Sequence, residues 1–427
     1  MEGFLNRLGW QSVSSISTLV LGLSYTLVLA RGLGVEEFGR FSLGLGFVTL
    51  VFLLFDARLT EVVIKFALEA YEHKQFNYCS SIVKHALILN SLLGCAALIT
   101  SLILIPFAPS ALFNVPGGSR LILLLAVGLL FIGMWNGTTL GIVRLLGLFK
   151  EQAFYISAIL FSKLVFVGVG IFIFKLESEE VAAMIIVINA VGQGAFLRFC
   201  LKKLDSKLPK SPLNSDFRIL RQRISEMTGF MKNNYFSGLT SIPLKEGDIY
   251  ILGWYTGLYE IGIYRTAKYF MNAIWALSDP LLYVIFPEFV QLRARRQFEL
   301  MEQLRIRMMK WLSLTALVIF SSTLFSVPWI LSYGAGSGYS DSGRVFSMMI
   351  WGILFWMPLM WCSPLLLSSN RSDLVLLAGI LNSTVTIGSG VVLVRSHGAL
   401  GVAFAGALGA SISAIAAYLF VKRLQNR

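Results

Sequence analysis

Charge is scarce in this chain: only 14% of its 427 residues are Asp, Glu, Lys or Arg, where a soluble domain carries about 25%. That deficit excludes an ordinary soluble globular protein. Cysteine is sparse as well. Cys79, Cys95, Cys200 and Cys362 are scattered, with neither C-x-x-C nor metal-ligand spacing, so a disulfide framework is unsupported and they are expected to be small apolar packing residues. His73, His85 and His397 fall in loops or at the ends of apolar blocks, where solvation is the expectation. The sequence contains no Walker-A G-x-x-x-x-G-K-[ST], no G-x-S-x-G and no H-E-x-x-H, so nucleotide hydrolysis, serine hydrolysis and zinc chemistry lack their residues. No enzyme activity, cofactor or metal is expected. The apolar/polar alternation of membrane barrel strands is missing too.

What the chain has instead is apolar length. It is 56% hydrophobic with a mean hydropathy of +0.73, and the apolar residues come in blocks of about 20, enough to cross a bilayer core. Twelve helical spans are predicted, at 10–30, 41–62, 82–105, 120–141, 153–174, 181–201, 229–252, 261–286, 311–332, 344–367, 373–394 and 399–421. The first block, Trp10 to Leu29, has no A-x-A-like cleavage site and runs straight into the second, so a removable signal peptide is not expected. The predicted fold class is an all-α polytopic membrane protein.

Lys and Arg in the loops set the orientation. With both termini cytoplasmic, about two dozen basic residues lie inside and roughly eight outside. The largest inside loop, Leu201 to Thr228, carries Lys202, Lys203, Lys207, Lys210, Arg218, Arg221 and Arg223; the next, Pro287 to Lys310, carries Arg293, Arg295, Arg296, Arg305, Arg307 and Lys310. The net charge of +13 is thereby placed beside the membrane, where it serves topology and contact with anionic lipid headgroups rather than nucleic-acid binding.

A short polar motif occurs twice. "LGVEEFGRF" (Leu33 to Phe41) and "TGLYEIGIY" (Thr256 to Tyr264) share Gly34, Glu37, Gly39 and Gly257, Glu260, Gly262 in register. The same offset of about 223 positions lays "DARLTEVVIKF", from Asp56, over "DPLLYVIFPEF", from Asp279, as internal repeats do. Later, "ESEEVAA" from Glu177 and "HGALGVA" from His397 correspond in position though weakly in residues. Six spans per half bring each half back to its starting side, so the repeats are parallel. The expected organisation is an N-terminal six-helix lobe at 1–200, a basic inter-lobe linker at 201–228 and a C-terminal six-helix lobe at 229–427. In such two-lobed transporters the substrate site lies between the lobes. The paired glycines are expected to serve tight turns that need positive φ.

The "LARGLGVEEFGRFSL" turn, "VIKF" after the second span and "FPEFVQLRAR" after the eighth together resemble the Wzx-type polysaccharide-repeat flippases. These belong to the multidrug/oligosaccharidyl-lipid/polysaccharide exporter superfamily. The resemblance covers nearly the whole chain and specifies the superfamily better than the substrate. It implies a V-shaped pair of six-helix lobes in the bacterial inner membrane. These would carry an undecaprenyl-pyrophosphate-linked oligosaccharide from the cytoplasmic to the outer leaflet by alternating access, for O-antigen or a related lipopolysaccharide or surface polysaccharide. A polysaccharide polymerase and a chain-length regulator are the implied protein partners. With no nucleotide-hydrolysis motif, transport is expected to draw on ion gradients, with H+ or Na+ as coupling ion, on the membrane potential or on consumption of product on the far side. The rivals are a cation-coupled multidrug antiporter of the same superfamily and a non-transporting membrane scaffold of polysaccharide assembly. A polymerase would need a large outer loop, and every outer loop here is short.

Ionisable groups inside spans tend to face cavities and mark pathways. In the second span Arg58 and Glu61, with Lys65 just beyond, fall within about 60° of one another on a straight helix, while Asp56 points nearly the other way. They form either a basic cytoplasmic vestibule or a local Glu61–Lys65 pair. Lys163 lies near mid-span in the fifth helix with no acid at i±3 or i±4, the best single candidate for a cavity cation. The seventh span is the most polar, with Lys232, Asn233 and Asn234, then Pro243, Lys245, Glu246 and Asp248. Pro243 should kink it, and Lys245 and Asp248 either join the pathway or pair locally. Arg265 and Lys268 open the eighth span, which also holds Asp279; the two cations either receive an anionic headgroup or anchor at the outer interface. The candidate pyrophosphate site is therefore Arg58, Lys163, Lys232, Lys245, Arg265 and Lys268. Glu61, Asp248 and Asp279 are candidates for ion coupling or for holding the cations in place. A polar stripe on the first span, Gln11, Ser15, Thr18, Gly22 and Tyr25, suits either helix packing or a wet cavity wall. Trp254, Trp311 and Trp329 suit interface depths.

Overall fold

The computed structural model describes residues 2–108, 118–209, 224–239, 243–276, 278, 285, 288–289, 292–293, 295–369 and 371–425. Among these there is no strand, and long helices dominate. Among the described residues, nine helices are long and apolar enough to cross a membrane, and the last of them, Ser372–Leu424, covers two predicted spans. Large apolar side chains face outward along them, Phe154, Phe161 and Phe325 among others, as lipid contact requires. Trp254, Trp311 and Trp329 are also exposed. The chain is an all-α polytopic membrane protein.

Contacts divide it into two compact units, residues 1–25 with 44–242 and residues 26–43 with 243–427. In the first unit lie most of α1 (Glu2–Leu33), α2 (Val35–Leu54), α3 (Leu59–Val62), a π-helical turn Val63–Ala67 and α4 (Leu68–Glu72). There follow α5 (Phe76–Ile103), α6 (Gly118–Leu146), α7 (Phe149–Phe172), α8 (Ser178–Asp205) and α9 (Ile224–Leu239). Its core joins Phe66, Ile82, Val83, Ile142, Phe196 and Leu204, all buried. At the start of α8, Glu177 and Glu180 form a reciprocal capping box, which satisfies the amides that a helix leaves unbonded. Cys79 and Cys200 are buried here as packing residues. His85 lies well inside α5 and is half-buried, not at a helix end.

The second predicted span is not one straight helix. α2 ends at Leu54, and Arg58 then adopts a left-handed conformation (φ 53°) before α3 begins. Asp56 therefore does not point away from Arg58. Its Oδ1 accepts the Arg58 amide at 3.0 Å, and its Oδ2 lies 3.8 Å from Arg58 Nε. The Glu61–Lys65 pair, one of the two arrangements the sequence left open, does not form. Glu61 lies 3.8 Å from Arg58, while the Lys65 ammonium sits 4.4 Å from the Phe230 ring centroid of α9 and 5.0 Å from that of Phe66.

The second unit contains a π-helical turn Pro243–Gly247, α10 (Asp248–Tyr255), α11 (Leu258–Ala276), α12 (Phe298–Gly334), α13 (Ser340–Ile350), α14 (Ile353–Leu359), α15 (Cys362–Ser368) and α16 (Ser372–Gln425). Two helices merge in α16 across Gly398, whose φ of 52° and ψ of −131° are not helical. Arg305, Arg307 and Lys310, expected in a loop, instead lie on α12, which starts a dozen residues before the predicted span. Trp361, Tyr339, Phe346 and Cys362 are fully or nearly fully buried in this unit.

The tip of the α1–α2 hairpin, residues 26–43, also packs in the second unit, and it explains the repeated motif. Gly34 turns the chain with φ +80°, as expected of a turn glycine. Gly39 and Gly262 are not turn glycines. They sit inside α2 and α11, where a Cβ on Gly39 would lie 2.0 Å from the Leu258 carbonyl oxygen and one on Gly262 2.2 Å from that of Val35. The two copies of the motif meet, backbone against backbone, because neither helix carries a side chain at the crossing. The Tyr339 hydroxyl donates to the Ala30 carbonyl at 2.9 Å and Arg31 to that of Tyr333 at 3.3 Å, fastening the same tip.

Candidate functional site

The most concentrated chemistry lies where the π-helical turn and α10 pass α11. On a regular helix, positions two apart point about 200° from each other, so Glu246 and Asp248 should not share a neighbour. The wider π turn alters that register, and both carboxylates reach α11. Arg265 Nη1 donates to Glu246 Oε2 at 2.6 Å, and its guanidinium lies 4.9 Å from the Tyr269 ring centroid. One turn further along α11, the Lys268 ammonium lies 2.7 Å from each oxygen of Asp248 and donates to the Lys245 carbonyl at 2.6 Å. The Tyr264 hydroxyl donates to Asp248 Oδ2 at 2.6 Å. Both ion pairs are nearly buried, the Lys268 and Asp248 side chains each being 10% exposed. A cavity of about 250 Å³ opens beside the second pair, lined by Asp248, Tyr264, Lys268, Asn272, Asn382 and Thr386 among apolar residues of α13 and α16.

Of the residues singled out from the sequence, Asp248, Arg265 and Lys268 are thus brought together, and Glu246 joins them. The local Lys245–Asp248 pair does not form: the Lys245 side chain is exposed, and only its backbone carbonyl enters the network. Arg58 and Glu61 stand together in the first unit, with Asp56 as a third member. Asp56 also lines a mostly apolar cavity of about 250 Å³ with Asn90. Lys232 is exposed on α9. Asp279 lies outside the described residues, as do the side chains of Gln11, Asn233 and Asn234. A larger cavity, about 520 Å³, lies away from all these residues, between Arg293, Arg371 and the ends of α12 and α16.

Lys163 lies on α7 within about 4 Å of its middle. Its side chain is half-buried, and no ion pair or hydrogen bond involves it among the described residues. In the polar stripe of α1, Ser15 and Thr18 are exposed, Gly22 and Tyr25 are half-buried, and a Cβ on Gly22 would meet nothing within 4 Å. Tyr264, Asn382 and Thr386 were missed from sequence. The available signal was that Arg265 and Lys268, one turn apart in a span, each require a counter-charge.

The whole chain aligns with solved membrane transporters. An inward-facing multidrug resistance MATE family transporter of the MOP superfamily is 16% identical, with a TM-score of 0.79 over 95% of this chain and 94% of that one. The lipid II flippase MurJ in an inward closed conformation is 14% identical, with a TM-score of 0.72 over 96% and 87%. The Vibrio cholerae MATE transporter VcmN, in a mutant form, is 12% identical, with a TM-score of 0.65 over 100% and 97%. Similarity of this kind, at such low identity, shows a shared fold. The family model described as polysaccharide biosynthesis protein matches residues 4–293, and the chain belongs to that family. No curated protein matches it in sequence.

Proposed function

We propose that this protein flips a polyprenyl-pyrophosphate-linked oligosaccharide, of the undecaprenyl type, from the cytoplasmic to the outer leaflet of a bacterial inner membrane, supplying O-antigen or a related surface polysaccharide. The observation that carries this reading is Lys163. A charged side chain at mid-span costs about 2.5–3.5 kcal/mol even on the mildest scales, and here no partner among the described residues offsets it. A position so unfavourable in the resting protein suits a site whose counter-charge arrives with the substrate, and a lipid pyrophosphate supplies one. Membership of a polysaccharide biosynthesis family supports the sugar, and the lipid II flippase among the structural neighbours supports the lipid carrier.

Lys232 and Lys245, exposed and without ion-pair partners among the described residues, extend the cationic set, with Arg58 held half-open between two acids. Arg265 and Lys268 contribute differently, because Glu246 and Asp248 already balance them. The antiporter reading is weaker on the same grounds. Cationic drugs would call for free acids, and Asp248 and Glu61 are each engaged by a cation. Energy would come from H+ or Na+ gradients or from consumption of product outside. A polymerase and a chain-length regulator would act on the product, and both termini would be cytoplasmic. Reporter fusions at Pro209 and Arg295 should read inside, and those near Gly34, Gly257 and Gly336 outside.

The test is Lys163→Ala beside Lys163→Arg in cells. The alanine variant should lose surface polysaccharide and accumulate lipid-linked repeat units on the inner leaflet at normal membrane abundance, with unchanged sensitivity to cationic dyes. The arginine variant should keep part of the activity, since a point-charge contact to phosphate tolerates either cation. Normal polysaccharide in the alanine variant would sink the reading.

A further inference from the structure

Asp248 has the surroundings of a cation site. Its carboxylate sits beside a cavity of about 250 Å³ that Asn382 and Thr386 also line, and the backbone carbonyl of Lys245 is directed at the same point. Asn382 Oδ1 and Thr386 Oγ1 are 3.2 Å apart. Carboxylate, carbonyl, amide and hydroxyl oxygens are the ligands that hard cations prefer. A buried ionised carboxylate without a counter-charge would be strongly unfavourable, so Asp248 must either hold a proton or face a positive group.

The structure shows the positive group. Lys268 Nζ is equidistant from both Asp248 oxygens, at 2.7 Å, and 2.6 Å from the Lys245 carbonyl. An ammonium has three N–H donors, and all three are used. The carboxylate is equally complete: Oδ1 also accepts the Ile249 amide at 2.8 Å and Oδ2 the Tyr264 hydroxyl at 2.6 Å. Four donors thus occupy the roughly four lone-pair positions of the carboxylate, leaving none for a further ligand.

We propose that the Lys268 ammonium is a tethered cation standing where a dissociable alkali cation would otherwise bind Asp248, so that this site is complete without a metal ion. A surface lysine paired to an acid would be an ordinary salt bridge. Here the bidentate approach, the third bond to a carbonyl and the oxygen-lined space beside the pair distinguish the arrangement. The proposal concerns the ion and not the sugar. It goes beyond the flippase reading, and its readout is binding rather than transport.

Thermal unfolding of the purified full-length protein, followed by tryptophan fluorescence, tests this in NaCl, KCl and choline chloride at equal ionic strength. The wild type should melt at the same temperature in all three. Lys268→Ala should melt lower in choline and recover saturably with Na+ or K+, by about 5 °C at saturation; methylammonium should restore it too. The double variant D248N/K268A should show no ion response. K268M, which keeps the packing volume, carries the same comparison if K268A is not recovered folded. A saturable Na+- or K+-specific rise in the wild type that Asp248→Asn abolishes would overturn the proposal. So would a truncated variant indifferent to Na+, K+ and methylammonium.

Discussion

Lys163 and Lys268 are both lysines placed within long helices of a membrane protein, and the two units treat them in opposite ways. Lys268 meets a carboxylate, a carbonyl and, through Asp248, a tyrosine. Lys163 meets no hydrogen-bonding or charged group among the described residues. Nor is the contrast a property of matching positions. The offset of about 223 that superposes the two motifs lays Asp248 and Lys268 over Tyr25 and Leu45, so the first half has no counterpart of the buried pair. What the comparison teaches is that an intramembrane charge is not by itself a functional signal. A fully bonded one contributes to the architecture, and an unbonded one leaves valence for a ligand.

The largest expected effect breaks that contrast from the structural side. Asp248→Ala leaves the Lys268 ammonium buried with only a carbonyl, and removing one partner of a buried pair costs about 3–5 kcal/mol. Membrane abundance and the thermal midpoint should fall steeply. The double variant D248A/K268A should recover much of the loss, because it removes the orphaned charge. Lys163→Ala should leave abundance untouched. If Asp248→Ala is as abundant as Lys163→Ala, the two lysines are not different in kind.

Much of this was legible in the sequence, for identifiable reasons. The helical class and most spans follow from apolar block length, a signal that needs no partner. The isolation of Lys163 followed from the lack of an acid within a turn. The partners of Arg265 and Lys268 were not legible, because they lie 19 and 20 residues away on a crossing segment, whereas local spacing pointed to Lys245. The break at Arg58 was hidden because Asp56-Ala57-Arg58 contains neither Gly nor Pro, and nothing in the apolar run around it signals a left-handed residue. The motif glycines stand out in the sequence, but the turn role expected of them holds at Gly34 and not at Gly39 or Gly262. Absence of a side chain serves a positive φ at Gly34 and a backbone crossing at Gly39 and Gly262, and sequence alone does not separate these uses.

That crossing supplies the next effect in size. Gly39→Ala places a Cβ 2.0 Å from the Leu258 carbonyl oxygen, a backbone atom that cannot step aside as a side chain would. The helices must separate, at about 1–3 kcal/mol as in other overpacked contacts. Gly262→Ala should cost a similar amount. The double variant should cost less than the two together, since the same separation relieves both clashes. Gly22→Ala, with nothing within 4 Å of its Cβ, should not destabilise at all. Thermal midpoints of the four proteins decide it, and additive losses at Gly39 and Gly262 would show that the two glycines do not share one crossing.

The smallest effect lies at the other polar residue of the motif. Glu260 Oε2 accepts the Ala399 amide at 2.7 Å, where Gly398 breaks α16 into two helices. The second of these starts with unbonded amides and a partial positive charge, and Glu260 supplies both an acceptor and a negative charge from another helix. Glu260→Gln keeps an amide oxygen that can accept and loses only the charge, a cost of about 0.3–1 kcal/mol. Glu260→Ala loses the acceptor too and should cost about 0.5–2 kcal/mol, as capping residues do. The order wild type, Gln, Ala in thermal midpoint is the expected result, with the Gln step shrinking as salt is raised. An alanine variant as stable as the wild type would mean that the Ala399 amide finds another acceptor, and that the glutamate shared by both copies of the motif is not held there for this cap.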